Sequence, residues 1–388
     1  MIKAFKFKLY NSKRNKKLIQ QIELASEIYN HCIRLHKLYY KIYHKYISLY
    51  TLQKHITKLK KTTKYSHWKG LDAQVVANIP ERIDKGYKKF FRHENKHSPT
   101  FKSKRKYKSF TLRQTGYKFF GKNGIRISEW KFKFFKSRNI PDNIKTITIK
   151  RDKIGDLYIF VACEVDENEI LPKTGKTAGF DFGLKMYLTS SDNKEIESPE
   201  FFKKSMKKIK TLNKNLSRKQ KGCNSRRKAR LDLARAYRKI SNQRRNFHFW
   251  LARQLCLQYD VLCFENLNLN GMKKLWGRKI SDLAFGDFIR ILEYYAVKTG
   301  KEIVKIGRFY PSSKRCNHCG HIYKELNLED REWVCPECKE LISRDYNAAC
   351  NILEEGSRVR ALTRRRDRVR LSTRPGNRSS RKHLSLVS

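Results

Sequence analysis

The sequence predicts a mixed α/β chain of several domains, on three observations. At 388 residues, with 39% hydrophobic and 12% aromatic content, it is long enough for two or three cores and too apolar for wholesale disorder. The period of its apolar residues switches between two and nearly four along the chain, so strands and helices are both present. Four cysteines in two close pairs near the C-terminus mark a small metal-clipped module.

Charge narrows the partners. With 89 Lys and Arg against 36 Asp and Glu, the chain carries +53, spread along nearly its whole length. Such self-repulsion calls for a polyanion, and nucleic acid fits best because its phosphates neutralise many cations at once while the released counterions drive binding. The N-terminus alternates apolar and basic residues and lacks the apolar run of a secretion signal. No stretch approaches the roughly 18 apolar residues of a membrane span, so a soluble chain with no membrane partner is expected. Beyond the four paired cysteines, Cys32, Cys163, Cys223, Cys256, Cys263 and Cys350 are scattered, several in apolar stretches, which suits a reducing cytoplasm better than a disulfide framework.

Residues 1–10 read as a strand with Phe5, Phe7 and Leu9 on one face. A helical pattern follows from Lys17 to about Leu59, carried by Leu18, Ile22, Ile28, Cys32, Leu35 and Leu38. A second runs from Leu71 to Phe91, with Val75, Ile79, Ile83 and Tyr87 four apart and Pro80 marking a kink or a fresh start. Together these helices resemble an inserted lobe. At "IKTITIKRD" and "DLYIFVACEVD" the period becomes two, giving a hairpin that could close a small barrel with the first strand. "PKTGKTAGF" then sets a domain boundary near residue 171.

Beyond it, "TAGFDFGLKMYLTS" reads as one short apolar strand carrying Asp181, with "NKEIES" able to pair with it after a turn. Residues 200–257 form a helical hairpin broken at "KGCNS". Met206, Ile209, Leu212 and Leu216 line one arm; Leu231, Tyr237, Ile240, Phe247, Leu251 and Leu255 line the other. Lys and Arg fill the rest too one-sidedly for an ordinary solvent face, which suggests a hairpin that tracks phosphates. "YDVLCFENLNL" is a second buried strand, ending at Glu265. A helix over 282–298, the strand "KEIVKIG", the cysteine module and a final helix "RDYNAACNILEE" complete the folded part. From Gly356 the composition turns to Arg, Ser and Leu, and a disordered basic tail is expected over 356–388.

Cys316, Cys319, Cys335 and Cys338 give C-x2-C, fifteen residues, C-x2-C, the spacing of two knuckles closing one tetrahedral zinc site. Four thiolates fill every coordination position, so that Zn2+ is structural and orders a segment with little core of its own. Asp181 and Glu265 lie at buried strands and Asp345 at a helix start. A carboxylate beside a buried strand costs several kcal/mol unless paired or bound to metal. Any one of the three could be a cap or a salt bridge. The combination, in a basic surround, suits a two-metal phosphodiesterase, in which carboxylates hold two Mg2+ ions about 4 Å apart.

"GFDFGLKMYLTSSDN", "FENLNLNGM", "RFYPSSKRCNHCG" and "RDYNAACNIL" resemble, in order, the first and second RuvC motifs, the approach to the zinc ribbon and the third RuvC motif of the TnpB family. The opening "KAFKFKLYNSKRNKKLI", "KKFF" and "PTFKSKRKYKSF" resemble it too. The resemblance implies an RNase H-like RuvC nuclease domain over 171–309 and 341–355, with a zinc ribbon inserted over 310–340. It further implies a wedge-type β-barrel domain over 1–10 and 100–170, interrupted by a helical recognition lobe over 11–99. Asp181, Glu265 and Asp345 match the catalytic triad that binds two Mg2+, and the four cysteines match the ligands of one Zn2+. The implied activity is that of a transposon-encoded, prokaryotic, cytoplasmic RNA-guided DNA endonuclease. A guide RNA from the transposon end pairs with target double-stranded DNA beside a short adjacent motif, which the protein reads together with backbone shape. One departure from the family is Ser343, which stands where many relatives carry Asp; that bears on metal affinity. The alternatives are a nuclease-dead guided DNA-binding repressor, disfavoured because all three acids are present, and an accessory transposition protein. Oligomeric state is not readable from the sequence.

Overall fold

The computed structural model describes residues 2–165, 170–327 and 329–372. The chain divides into two compact units, Met1–Glu167 and Asn168–Ser388.

The first unit opens with β1 (Ile2–Lys8), helices α1 (Asn15–Tyr43) and α2 (Leu49–Leu59), a 3-10 stretch over Thr63–Gly70 and helix α3 (Ala73–Phe91). The single helical run expected from Lys17 to Leu59 is therefore two helices. His44 takes a left-handed φ of 51° and ends α1, and the Ser48 hydroxyl accepts from the Thr51 N–H to start α2. Leu38, expected on the apolar face of α1, is 51% exposed. Pro80 neither ends nor restarts α3, whose first turn is capped by Asp72. A proline inside a helix costs about 3 kcal/mol. Burial of Val75, Ile79 and Ile83 on the same helix offsets it, at about 1.5–3 kcal/mol each.

Six strands follow from β2 (Ser109–Leu112) through β3 (Tyr117–Phe120), β4 (Gly124–Ile127), β5 (Trp130–Lys133) and β6 (Ile144–Arg151) to β7 (Leu157–Glu164). The expected hairpin is β6–β7, and β1 pairs with β7. The closed barrel is not formed. An open antiparallel sheet runs β1-β7-β6-β2, while β3-β4-β5 make a separate meander that meets it at a bridge between Leu9 and Phe134 and packs into the same core. Those four-residue strands pair with each other through tight turns, with left-handed φ at Gly121 and Ser128, instead of extending the main ladder. Phe5, Phe7, Phe110, Ile147, Ile149, Ile159 and Val161 share one apolar core with Leu18, Ile22, Cys32, Val75 and Ile79, so helices and strands are packed as a single body.

The second unit contains β8 (Thr177–Asp181), β9 (Met186–Ser190), β10 (Glu195–Glu197), α4 (Phe201–Ser217), α5 (Asn224–Gln258) and β11 (Val261–Glu265). It continues with α6 (Leu269–Leu283), α7 (Phe285–Thr299), β12 (Glu302–Ile306), β13 (Glu332–Val334), β14 (Leu341–Ser343) and α8 (Arg344–Ser372). The sheet order is β10-β9-β8-β11-β12; β8, β11 and β12 are parallel, and β9 is antiparallel to β8. The stretch 177–190, expected as one strand, turns back on itself as β8 and β9, and β10 pairs with β9. The α4–α5 break falls at "KGCNS" as expected, whereas α6 was not anticipated.

β11 explains the layering. Its unbroken apolar run is buried on both faces, as a central parallel strand requires. Leu262 and Phe264 pack with Phe180 against Leu251 and Leu255 of α5 and Phe288 and Leu292 of α7. Val261 and Cys263 face the other way, against Ile352 of α8. α8 runs to Ser372, so the segment expected as a disordered tail is helical from Gly356 at least that far; the rest of that tail, 373–388, lies outside the described residues. No helix among the described residues is long and apolar enough to cross a membrane.

Candidate active site and cysteine cluster

Strand period and register bring two of the acids together. Phe180 and Phe264 are opposite each other on β8 and β11, so the next residues, Asp181 and Glu265, are neighbours at the C-terminal ends of two parallel strands. Both phenylalanines face α5 and α7, which turns both carboxylates to the α8 face. Crevices outside the carboxyl ends of parallel strands are where such sheets bind ligands. α8 brings the third acid, since Asp345 is the second residue of that helix.

Gly179 makes the approach possible. A Cβ there would collide with the Ala349 carbonyl oxygen and the Leu353 nitrogen, so only glycine lets α8 lie this close to β8. The consequence shows in the Asp181 carboxyl, pushed up to about 8 by burial first and then by the charges of Glu265 and Asp345, against the Phe182 N–H and Arg344. Glu265 is also raised by burial, opposed by a hydrogen bond from the Ser312 hydroxyl. Asp345 pairs with Arg331 at 3.2 Å. The three acids thus share one face and feel each other's charge. Their oxygens do not close to single-ion distance: among the described residues the only group of three or more ligand atoms within 4.8 Å of one another is the cysteine cluster.

That cluster is made by two matching turns. Gly320 N–H donates to the Cys316 carbonyl and Lys339 N–H to the Cys335 carbonyl, and both Gly320 and Lys339 are left-handed, with φ of 80° and 60°. The turns set Cys316 Sγ 3.7 Å from Cys338 Sγ and Cys319 Sγ 3.6 Å from Cys335 Sγ. A tetrahedron with Zn–S bonds of about 2.3 Å has edges of about 3.8 Å, so the thiols fit zinc. Burial raises the Cys335 thiol, but the N–H groups of Cys338 and Glu337 and the neighbouring thiols bring it down to about 7. The buried apolar residues packed around the sulfurs are Leu326, Trp333 and Ile342, with Tyr323 beside them.

The α4–α5 hairpin carries Lys203, Lys204, Lys207, Lys208, Lys210 and Lys214 on one arm and ten more Lys and Arg on the other, with Asp232 its only acid. Asp282 anchors it, accepting from the Phe202 and Lys203 N–H groups at the start of α4 and from Arg244 at 3.0 Å. Tyr237, expected on its apolar face, is 44% exposed. Ser343 lies on β14 opposite Glu332, its side chain exposed.

Sequence reasoning missed Gly179, Ser312, Arg331, Asn347 and Asn351. The two asparagines are buried, sit four apart on α8 and donate to the Arg315 carbonyl at 2.8 and 2.6 Å. "RDYNAACNIL" contained the signal, since asparagine at i and i+4 marks one helix face.

Family models match two stretches: "Probable transposase" over residues 160–275 and "Cas12f1-like, TNB domain" over residues 285–352. A "Putative RNA-guided DNA endonuclease" of Streptomyces pristinaespiralis is 28% identical over 375 residues, covering 91% of this chain and 89% of the relative. The "Putative RNA-guided DNA endonuclease InsQ" of Escherichia coli K12 is 25% identical over 388 residues, covering 93% and 94%. Among solved structures, the mini-RNA-guided endonuclease CRISPR-Cas_phi3 has a similar fold, with a TM-score of 0.52 at 10% identity and 92% of each chain covered.

Proposed function

We propose that this chain, which resembles the TnpB family along nearly its whole length, is an RNA-guided DNA endonuclease of a transposable element. It cuts double-stranded DNA beside a short adjacent motif, using a two-metal RuvC-type site. The observation that carries the proposal is the meeting of Asp181, Glu265 and Asp345 on one face of the sheet, close enough that burial and the other two carboxylates push the Asp181 carboxyl up. A divalent cation offsets the cost of gathering acids at the ends of buried strands.

An all-oxygen set suits Mg2+, and the mutual repulsion of the acids is what a divalent ion relieves. Asp181, Glu265 and Asp345 would hold a pair of such ions between them, since their oxygens do not converge on a single one. When bound, Mg2+ supplies an activated water and stabilises the leaving oxygen of the phosphodiester. To take the metal, Asp181 would have to be ionised and Asp345 would have to part from Arg331, while the Ser312 hydroxyl holds Glu265. The strand order β10-β9-β8-β11-β12, with β9 alone reversed between β8 and the chain direction of its partners, supports an RNase H-like reading of the second unit, with the cysteine module as a structural zinc ribbon inserted in it. The basic α4–α5 hairpin offers phosphate contacts for guide RNA or target DNA, and those contacts make affinity fall steeply with salt.

The test is cleavage of a plasmid carrying a matching target by protein co-expressed with RNA from the end of its element. Mg2+-dependent linear product is expected, absent without RNA and absent for Asp181→Ala. Guided binding without any cutting by the wild-type protein would replace the nuclease reading with a DNA-binding repressor.

A further inference from the structure

Glu265 and the first cysteine knuckle are joined by a series of buried and part-buried hydrogen bonds, and Ser312 is its centre. Ser312 is 5% exposed. Its hydroxyl donates to Glu265 Oε1. Its carbonyl accepts from Asn351 Nδ2 at 2.8 Å, and Asn351, fully buried on α8, also donates to the Arg315 carbonyl at 2.6 Å. One turn earlier, Asn347 donates to the same Arg315 carbonyl at 2.8 Å and accepts from the Asn317 N–H at 2.8 Å. Residues 312–317, which include the ligand Cys316, are therefore clasped by the helix that carries Asp345.

We propose that Ser312 is a positioning residue for the divalent-metal site, fixing the Glu265 carboxylate in the orientation in which it receives the ion. The inference rests on the nuclease reading above. A glutamate carboxyl rotates in a broad twofold well, so a free one presents either oxygen. Here the hydroxyl pins Oε1, and among the described residues no hydrogen bond is made to Oε2, which stays open as a ligand. Mg2+ demands near-ideal octahedral geometry and tolerates little wandering of its few protein ligands. A buried serine of merely structural use most often bonds nearby backbone. Ser312 instead reaches across 47 residues to the acid that ends β11, while the backbone around it is satisfied separately by α8. The inserted ribbon and the sheet are thereby set in register through one hydroxyl.

The experiment is a Mn2+ titration, read by electron paramagnetic resonance, on the zinc-loaded full chain with Ser312→Ala, Ser312→Thr and Glu265→Gln. Groups that orient metal ligands are worth roughly 10–100-fold in affinity. Ser312→Ala should weaken Mn2+ binding by that factor and raise the Mg2+ concentration for half-maximal cleavage in step. Zinc content should stay unchanged and the chain should still melt cooperatively, with the midpoint lowered by the few degrees that loss of one buried hydrogen bond costs, and Ser312→Thr, which keeps the hydroxyl, should restore binding to within a few-fold. Wild-type Mn2+ affinity in Ser312→Ala alongside its loss in Glu265→Gln overturns the positioning role and leaves the nuclease reading standing. Unchanged affinity in Glu265→Gln overturns the metal assignment of Glu265 itself. Loss of zinc or of the melting transition in Ser312→Ala assigns the residue to the ribbon's fold and overturns the proposal.

Discussion

Arg331, the residue before β13, holds its guanidinium 3.2 Å from the Asp345 carboxylate at the start of α8. Both side chains are partly exposed, and such a pair contributes about 0–1 kcal/mol. Any divalent ion at Asp345 must displace the guanidinium, so the pair is a weak competitor for the site. Arg331→Ala is expected to lower the Mg2+ concentration for half-maximal cleavage by up to about fivefold, the equivalent of about 1 kcal/mol. A metal titration of the cleavage rate checks it. A slower maximal rate at saturating Mg2+ would instead assign Arg331 a contact with the DNA phosphate.

Asp181 gives a pH dependence with a definite sign. Its carboxyl is raised from the usual carboxylate range to about 8, so the folded, metal-free chain binds this proton more tightly than the unfolded chain does. Stability from this group is fully present at acidic pH and declines as pH rises through about 8. A divalent ion competes with the same proton, and its apparent affinity should therefore rise with pH up to about 8 and level off above. Asp181→Asn should abolish cleavage yet raise the melting temperature of the metal-free chain at pH 8.5, by about 2–4 °C for each kcal/mol of repulsion relieved. Calorimetry of the two chains in chelator measures this; a lower melting temperature for the variant would contradict it.

These residues also show what the sequence makes legible. The apolar run before Glu265 and the one around Asp181 announce buried strands that end in acids, because a parallel strand covered on both faces cannot hide its composition. The hydrogen bond from Ser312 to Glu265 crosses 47 residues and leaves no periodicity to read. β2 to β5 were illegible for another reason: at four residues each, they are too short for their alternation to stand out from a loop. α6 was hidden by Gly271 and Gly277, which lower helix propensity, although Asn268 caps its first turn. The arginine-rich end of α8 has a disordered composition, but Gly356 seats the helix on Cys263 and Arg360 pairs with Glu302 at 2.8 Å. Tertiary contacts there override composition.

Gly179 should be among the least replaceable residues of the second unit. The added methyl of Gly179→Ala has backbone on both sides, the Ala349 carbonyl and the Leu353 nitrogen, and neither can rotate away. Relief requires α8 to lift from β8, which also draws Asp345 away from Asp181. Overpacking of this kind costs about 1–3 kcal/mol, and more where only backbone can move. The expected outcome is a lower denaturation midpoint together with cleavage reduced by more than tenfold at a temperature where the variant is still folded. Gly356→Ala is the comparison, since its methyl meets the side chains of Cys263 and Ile306 and not backbone, eleven residues along α8 from Asp345. It should destabilise with a smaller loss of rate. Equal losses of rate for equal losses of stability would show that the β8–α8 spacing has no special bearing on the site.

Zinc removal should act on the nuclease site through chain connectivity. β14 runs directly into α8, so Ser343 of the cysteine module and Asp345 are two residues apart. Beyond the α8 clasp on residues 312–317, the module has little core: Leu326, Trp333 and Ile342 around the sulfurs contribute about 5–8 kcal/mol by burial, less than the roughly 10 kcal/mol or more that a structural zinc can supply. Cys335→Ser, or a strong chelator, should therefore unfold residues 310–343, seen as fast hydrogen exchange confined to that segment, and cleavage should fall by two orders of magnitude or more. Guided DNA binding should fall far less, because the basic α4–α5 hairpin is anchored by Asp282 and Arg244, away from the ribbon. Zinc is held progressively less well as pH falls, since each bound sulfur must first lose its proton. Zinc content measured after dialysis at a series of pH values gives the titration, and full retention of cleavage by the zinc-free chain would separate the ribbon from the placement of Asp345.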